Sequence, residues 1–595
     1  MNNTELSKSS YCTGIQCEKI LWLNKYKPEC ATKIDNTSVL ETGQEVGQLA
    51  KGLFGEYEDV PYDYYNKMIT KTEELLQNKP NIITEASFNY DNNFCRVDIL
   101  KNDTDGVEIY EVKSSTEIKD THIDDAAYQH YVLSNLGLNV KKVCIVYINN
   151  EYRLSKELDI HELFNIKDIT TIAKEKEAEI KDNIAFINRF MTEHDENNEP
   201  TTQLSMNCFE PYACQYWKYC TKDLPKPNVF DITGMWKSKK IEKYEENIIS
   251  FKDLQYEDLN PNYLEQIDFE LYNQEPKIEI EAIREIRDSL EYPYYFLDYE
   301  TYNPAIPTIE GTKPYQQIPF QYSLHIIQEK GTPIIHKEYL AQHDDPDIIR
   351  HFAEHLIKDL PEDRSVIVYN KSFEASRNTE IGEMYPDLKE EMTRINNNMV
   401  DFMIPFKQRN YYTKEMKGSY SIKYVLPALY PDDPEMDYDN LPLVHNGTEA
   451  SNAFKSLKNK TPKEQEEIRK ALLKYCELDT KALVKIWKKF NQILNKHDQT
   501  QNNYREKQQE NTKIEYYYKG EKRKENIDDI LAEVLEDHEF DLRDGYVNIL
   551  IEMCEKNELP KRYYTEDRLD FEKIIDDEKY LEEVIMEYDI KKNKY

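Results

Sequence analysis

Three sets of residues in this 595-residue chain have the types and spacing to bind metal ions. The first lies in TEASFNYDNNFCRVDILKNDTDGVEIYEVKSST, residues 84–116. Asp98 sits inside the apolar run CRVDIL, and Glu111 and Lys113 sit in YEVKSS. Side chains alternate along a strand, so Glu111 and Lys113 share a face. An Asp and a Glu on neighbouring strands can hold a divalent ion, which activates water and polarises a phosphate. The lysine beside them can offset the charge that develops. Glu85 precedes the two strands, and Gln129 follows on a helix, in AAYQHYVLSNLGL.

The second set is assembled from three distant segments. YFLDYETY puts Asp298 and Glu300 on one face of an otherwise apolar strand. Like charges about 4 Å apart repel by roughly 4 kcal/mol at an effective dielectric of about 20, so the pair calls for a cation. VIVYNKSFEASR is a strand running into a helix, with Asn370 and Glu374 at the junction. LLKYCELDTKAL sets Tyr475 and Asp479 one helical turn apart, on the same face. Asp401, in MVDFMIPF, reads as a residue that caps or braces the fold.

The third set is Cys208, Cys214 and Cys220, in CFEPYACQYWKYC, with five residues between each pair. Structural zinc sites usually space such pairs about two to four residues apart, whereas iron–sulfur centres accept wider spacing and commonly use four thiolates. Cys17 is the expected fourth, with Cys12 and Cys30 as competitors and zinc as the alternative to a [4Fe–4S] cluster. Cys95, Cys144, Cys476 and Cys554 read as core residues.

The order Asp98, Glu111, Lys113, Gln129 resembles the PD-(D/E)XK superfamily, in particular RecB-like exonucleases, including those of CRISPR adaptation. GQEVGQLAKGLF is similar to that family's first helix. Gln44 stands where many relatives carry His, which leaves Glu45 or Glu85 as the early metal ligand. One cysteine at the start of the domain and three at its end resemble the iron–sulfur staple of such nucleases. The later motifs resemble DEDD exonucleases of the DEDDy type, which have an RNase H-like fold. That resemblance implies a metal site of Asp298, Glu300, Glu374 and Asp479, with Tyr475 orienting the attacking water. Glu374 departs from the usual Asp by one methylene. The chain through about Asn495 is similar to a bacterial family that pairs a RecB-like front with a DEDD-like back.

Strand-like runs at Phe94–Leu100, Val107–Val112 and Lys142–Ile148 would carry the first acids. Further runs at Tyr294–Tyr302, Gln321–Ile327 and Ser365–Tyr369, with a helix around Glu464–Leu494, would carry the second. The expected fold class is multidomain α/β: a restriction-endonuclease-like domain, an RNase H-like domain and a helical C-terminal tail. The expected boundaries are 1–225 for the RecB-like domain with its cluster and 226–288 for a linker and helical connector. Residues 289–498 would form the DEDDy domain and 499–595 an acidic helical tail, with a flexible joint after Gln499.

The net charge of −36 excludes a protein that coats nucleic acid, because phosphate binding rests on Lys and Arg. It leaves room for a nuclease, whose carboxylates are neutralised by metal. Basic stretches at Lys237–Lys243, Lys455–Lys474 and Lys519–Lys524 read as solvated surface. No run approaches the ~18–20 apolar residues that cross a bilayer, and no signal peptide or P-loop is present. The ten cysteines are expected reduced, in a cytoplasmic protein. The expectation is thus a Mg²⁺- or Mn²⁺-dependent nuclease that acts on nucleic acid, DNA before RNA, at single-stranded or frayed ends. It would have no membrane partner, and its acidic tail could dock a protein. The competing expectations are a scaffold that keeps nuclease folds without activity, and an RNA exonuclease.

Overall fold

The computed structural model describes residues 6–33, 37–433, 438–511, 513–518, 521–526, 529, 533 and 544–592. Residues Met1–Lys489 form one compact unit and Phe490–Tyr595 a second. The architecture is multidomain α/β, with mixed sheets and a long helical region toward the C-terminus.

The front of the first unit is built on a seven-stranded sheet. Its strands are β1 (Leu6–Ser7), β2 (Glu58–Asp59), β3 (Ile82–Tyr90), β4 (Asn93–Asp103), β5 (Gly106–Lys113), β6 (Val140–Ile148) and β7 (Phe164–Asp168). The order is β2-β3-β4-β5-β6-β7, with β1 pairing beside β4. The β3–β4 hairpin closes on Asp91 and Asn92, both at positive φ (47° and 63°), the backbone that two-residue hairpins need and that Asp and Asn tolerate. Gly106 is required where β5 begins, since a Cβ there would lie 2.3 Å from the Asn139 carbonyl oxygen. β6 runs parallel to β5, and the helix Asp120–Asn135 makes the crossover between them. That helix is buried from Ala126 to Leu133 and joins Trp22, Leu23, Val97 and Ile145 in one core.

β8 (Lys277–Ile278) pairs with a later short strand, and the rear sheet begins at β9 (Tyr294–Tyr302). It continues in β10 (Ile318–Ile327), β11 (Ile335–Leu340), β12 (Val366–Val368) and β13 (Met399–Asp401). The order is β11-β10-β9-β12-β13, antiparallel through β9 and parallel beyond it. β9 and β10 are buried on both faces, which is why they read as continuous apolar runs. The strand partner of β8 is β14 (Tyr411–Tyr412).

The front and rear lobes meet along a seam. The loop after β9 bonds to the front through Leu154 N–H to the Thr312 carbonyl (2.9 Å), Gly311 N–H to the Leu154 carbonyl (2.8 Å), and Tyr315 Oη to the Ser114 carbonyl. Ala305 joins the apolar cluster of Val46, Tyr110 and Phe164.

Three segments differ from expectation. The stretch read as a linker is ordered: Val229, Ile232, Met235, Phe251, Leu254 and Ile267 form a small core of their own. The expected joint after Gln499 is helical, because the helix runs from Pro462 to Asn511. Its polar residues are mostly good helix formers, without Gly or Pro to stop them. The tail is not only helical. Beside the helices Asp544–Glu555 and Glu578–Lys592 it has a four-stranded sheet of β15 (Lys513–Tyr518), β16 (Glu521–Asn526), β17 (Tyr564–Thr565) and β18 (Arg568–Asp570). The tyrosines of KIEYYY supply β-propensity that the acidic surroundings mask. Residues 512, 519–520, 527–528, 530–532, 534–543 and 593–595 lie outside the described residues.

Candidate functional site

In the front lobe, β4 and β5 pair as far as Ile99 opposite Tyr110. Asp98 then turns its carboxylate to the Val112 N–H at 2.7 Å. Glu111 lies next along β5, so the two acids meet where the strands part. Glu111 is 2% exposed and fully engaged. Oε1 accepts from Lys113 at 2.9 Å and from Lys8 at 2.5 Å, and Oε2 accepts from Gln129 at 2.5 Å. The structure therefore brings Asp98, Glu111, Lys113 and Gln129 together. Burial, then the charge of Glu111, pushes Asp98 up to about 7. Burial acts on Glu111 the same way, but Lys113 and Lys8 outweigh it and hold that carboxyl below its usual range.

Two members of this site escaped the sequence. Lys8, beside β1, offers no motif, and only the pairing of β1 with β4 delivers it. Asp125 accepts from Lys113 and from the Cys12 thiol (3.0 Å); it lies one turn before Gln129, which was the available signal. Glu85 goes elsewhere: at positive φ (59°), it pairs with Lys51 (3.1 Å) and Arg96 (2.9 Å). Glu45 pairs with Lys458 at 3.0 Å. Because Glu111 neutralises two part-buried lysines, Glu111→Ala is expected to cost about 3–5 kcal/mol in denaturant unfolding, as breaking a buried pair does. Glu111→Gln, which keeps hydrogen bonding, is expected to cost less; equal losses would mean the charge is unimportant.

In the rear lobe, a cavity of about 260 Å³ is lined by Asp298, Glu300, Glu374, Tyr475 and Asp479 together with Tyr369 and Asn370. One carboxylate oxygen from each of Asp298, Glu300 and Asp479 lies within 4.8 Å of the others. Glu374, 2% exposed, lines the same cavity and keeps Oε2 without a hydrogen-bond partner, but it is not one of the three acids whose oxygens lie within 4.8 Å of one another. Burial, then Asp479, pushes Asp298 and Glu300 far above the carboxylate range. Burial raises Glu374 to about 8 and Asp479 to about 6. Such a set fits a divalent cation, which would favour every ionised form.

Tyr475 lies one helical turn before Asp479 in the same cavity, and burial followed by the nearby acids keeps its phenol protonated. Tyr438, missed in the sequence because it lies in no motif, donates to Asp479 at 2.6 Å. Lys423 is a nearby cation whose charge acts on Glu300 and Asp479. Cys476, expected to be ordinary core, lies 3.8 Å from the Asp298 carboxylate. Asp401 braces the fold as expected, accepting from the N–H groups of Asn370 and Lys371 (both 3.0 Å) and Met403 (2.9 Å). A second group, His325, His336 and Glu477, could also hold a divalent ion.

A groove of about 500 Å³ runs along the seam. Its lining includes Ser114, which follows Lys113 of the front site, and Glu300 of the rear one, with Phe373 and Lys455.

All ten cysteines are free thiols, and Cys95, Cys144, Cys476 and Cys554 are buried. Cys17, Cys208, Cys214 and Cys220 line one cavity of about 210 Å³. Burial pushes each of these four thiols up, Cys214 to about 11. Gln16 closes the cavity's edge, donating to the carbonyls of Asn207 (2.8 Å) and Tyr212 (2.7 Å). Cys12 and Cys30 are not among the lining residues.

Among the described residues no helix is long and apolar enough to cross a membrane. Residues 295–421 match a domain of unknown function, DUF2779. The matched stretch contains Asp298, Glu300 and Glu374 and ends before Tyr475 and Asp479. An uncharacterized protein of Ureaplasma parvum serovar 3 is 29% identical over 254 residues, 40% of this chain and 36% of that protein. An uncharacterized protein of Mycoplasma genitalium is 24% identical over 427 residues, 63% of this chain and 62% of that protein. The chain thus spans less than two thirds of either relative. No solved structure matches.

Proposed function

We propose that the chain is a metal-dependent nuclease with two centres, acting on single-stranded or frayed DNA. The observation that carries this reading is the convergence of Asp298, Glu300, Glu374 and Asp479, drawn from three distant segments, around one cavity beside Tyr475. The strand order β11-β10-β9-β12-β13, with its antiparallel-then-parallel pattern, supports an RNase H-like rear domain at about 289–498. The crossover from β5 to β6 and the Asp98–Glu111–Lys113–Gln129 set support a PD-(D/E)XK front domain at about 1–225.

Mg²⁺ or Mn²⁺ at these carboxylates would supply charge neutralisation at the phosphate and a more acidic water. Around it, Tyr475 remains protonated and able to orient a water, while Lys423 adds positive charge beside the acids. In the front centre, Lys113 is placed to offset charge on a phosphate, and Gln129 fixes the Glu111 carboxylate. The seam groove favours a flexible single strand, because it passes both Ser114 and Glu300. A [4Fe–4S] centre of structural role, with zinc as the alternative, is assigned to Cys17, Cys208, Cys214 and Cys220 because they come from the start and end of the front domain and line one cavity, although no three of their sulfurs lie within 4.8 Å of one another.

The test uses end-labelled single-stranded DNA, duplex DNA and RNA, with Mn²⁺, Mg²⁺ or EDTA. Metal-dependent degradation of single-stranded DNA, with one component lost in Asp98→Asn and another in Asp298→Asn, is the expected result. Two variants that cleave like the wild type would overturn the reading, and RNA-only cleavage would move it to the ribonuclease alternative.

A pH dependence follows. Asp98, Asp479 and Glu374 titrate near 7, 6 and 8 when folded, above the unfolded value of roughly 4. The folded protein therefore binds more protons across that window, and stability falls as pH rises through it. In EDTA the melting temperature is expected to decline between about pH 5 and 8, and Mn²⁺ is expected to flatten the decline by replacing protons. Differential scanning fluorimetry reads both; a metal-free melting temperature that climbs with pH would contradict the proposed burial of acids.

A further inference from the structure

We propose that His325, His336 and Glu477 form a separate zinc site, clamping the long helix to the edge of the rear sheet. His325 on β10 and His336 on β11 are direct cross-strand partners, with ring centroids 4.6 Å apart. Glu477 reaches them from the helix Pro462–Asn511. One ligand atom from each lies within 4.8 Å of the others. Tetrahedral zinc wants ligand atoms about 3.3 Å apart, given Zn–N distances near 2.0–2.1 Å. Rotation of His336 and Glu477, neither fully buried, can close that difference.

The donor set selects the metal. Two imidazoles and one carboxylate suit zinc, whereas the all-oxygen cluster of Asp298, Glu300 and Asp479 suits Mg²⁺ or Mn²⁺. Metal-binding histidines are usually held through the other ring nitrogen. Here Nδ1 of His325 lies 2.8 Å from the Thr480 hydroxyl, and Nε2 of His336 lies 3.0 Å from the Ser323 hydroxyl. Those two hydroxyls are themselves 2.7 Å apart, so one connected chain orients both rings. Nε2 of His325 and Nδ1 of His336 are then the nitrogens for the ion. Lys481 pairs with Oε1 of Glu477 at 2.7 Å and would yield that oxygen or leave the other one to zinc. Three protein ligands leave a fourth position for water.

The site bears on the carboxylate cavity by position. Glu477 lies between Tyr475 and Asp479 on the helix, and Ser323 pairs directly with Asp298 across the sheet. Zinc here would fix the rotation of the helix that carries Tyr475 and Asp479, a positioning role.

The test is independent of nuclease activity. Full-length protein in millimolar Mg²⁺, which occupies the carboxylates, is dialysed against Zn²⁺ and analysed for bound zinc, melting temperature and the zinc X-ray absorption edge. The wild type is expected to gain one equivalent more than His336→Ala and Glu477→Gln, with a nitrogen and oxygen shell. Each variant should lose at least about 100-fold in affinity, since even outer-shell changes cost about 10–100-fold. Both should melt like the wild type without zinc and lose the zinc-induced rise. Equal zinc in wild type and variants, or a sulfur shell for the equivalent they lose, would overturn the proposal. Zinc binding in a protein without nuclease activity would leave it standing.

Discussion

Asp298→Asn is expected to abolish cleavage at the rear centre and, at the same time, to raise the melting temperature of the metal-free protein. The two effects have one cause. Asp298 is pressed against Asp479 and Glu300 in a buried setting, and both burial and repulsion oppose its charge. The metal-free fold must keep this carboxyl protonated, whereas the unfolded chain ionises it; asparagine carries no such proton-uptake cost, so the fold gains about 1.4 kcal/mol per pH unit above the unfolded value of roughly 4, on the order of 1–4 kcal/mol near neutral pH. Removing one of the carboxylates that would hold the ion would forfeit several kcal/mol of transition-state stabilisation, roughly a 10³-fold loss of rate or more. Single-turnover cleavage of a labelled strand, paired with melting in EDTA, reads both. A variant that is slower and also less stable would assign Asp298 a structural role and count against the metal centre.

The second large effect is expected from Cys214→Ser. Serine is nearly isosteric, so packing around the cavity of Cys17, Cys208, Cys214 and Cys220 changes little. A resident metal centre, however, contributes up to on the order of 10 kcal/mol to folding in small domains. Protein purified without oxygen should lose most of its iron and melt at a much lower temperature. Cys30→Ser serves as the control: Cys30 lies outside that cavity, so iron and melting should hold. Iron and sulfide assays with calorimetry decide the matter. Full iron in Cys214→Ser, or zinc in its place in the wild type, would remove the iron–sulfur assignment.

What was legible in the sequence was chemistry on regular elements. Asp298 and Glu300 could be paired because a strand repeats every two residues, and Tyr475 and Asp479 because a helix repeats every three to four. The buried runs of β4, β5, β6, β9 and β10 stood out for the same reason. What stayed hidden depends on tertiary approach. Lys8 enters the front centre only because β1 lies beside β4, and Tyr438 reaches Asp479 across 41 residues. Glu85 was misplaced in expectation because its positive φ turns it toward Lys51 and Arg96. The histidine pair was overlooked because cross-strand register, which joins His325 to His336, cannot be read from spacing alone. The tail's sheet was lost beneath its acidic composition.

The loop that laces Gly311, Thr312 and Tyr315 to Leu154 and Ser114 has a consequence for how this chain can be divided. Ala305 rests among side chains of the other lobe, so cutting near residue 288 would strip apolar surface bare on both fragments. Expressed apart, each lobe would carry that bared surface into solvent.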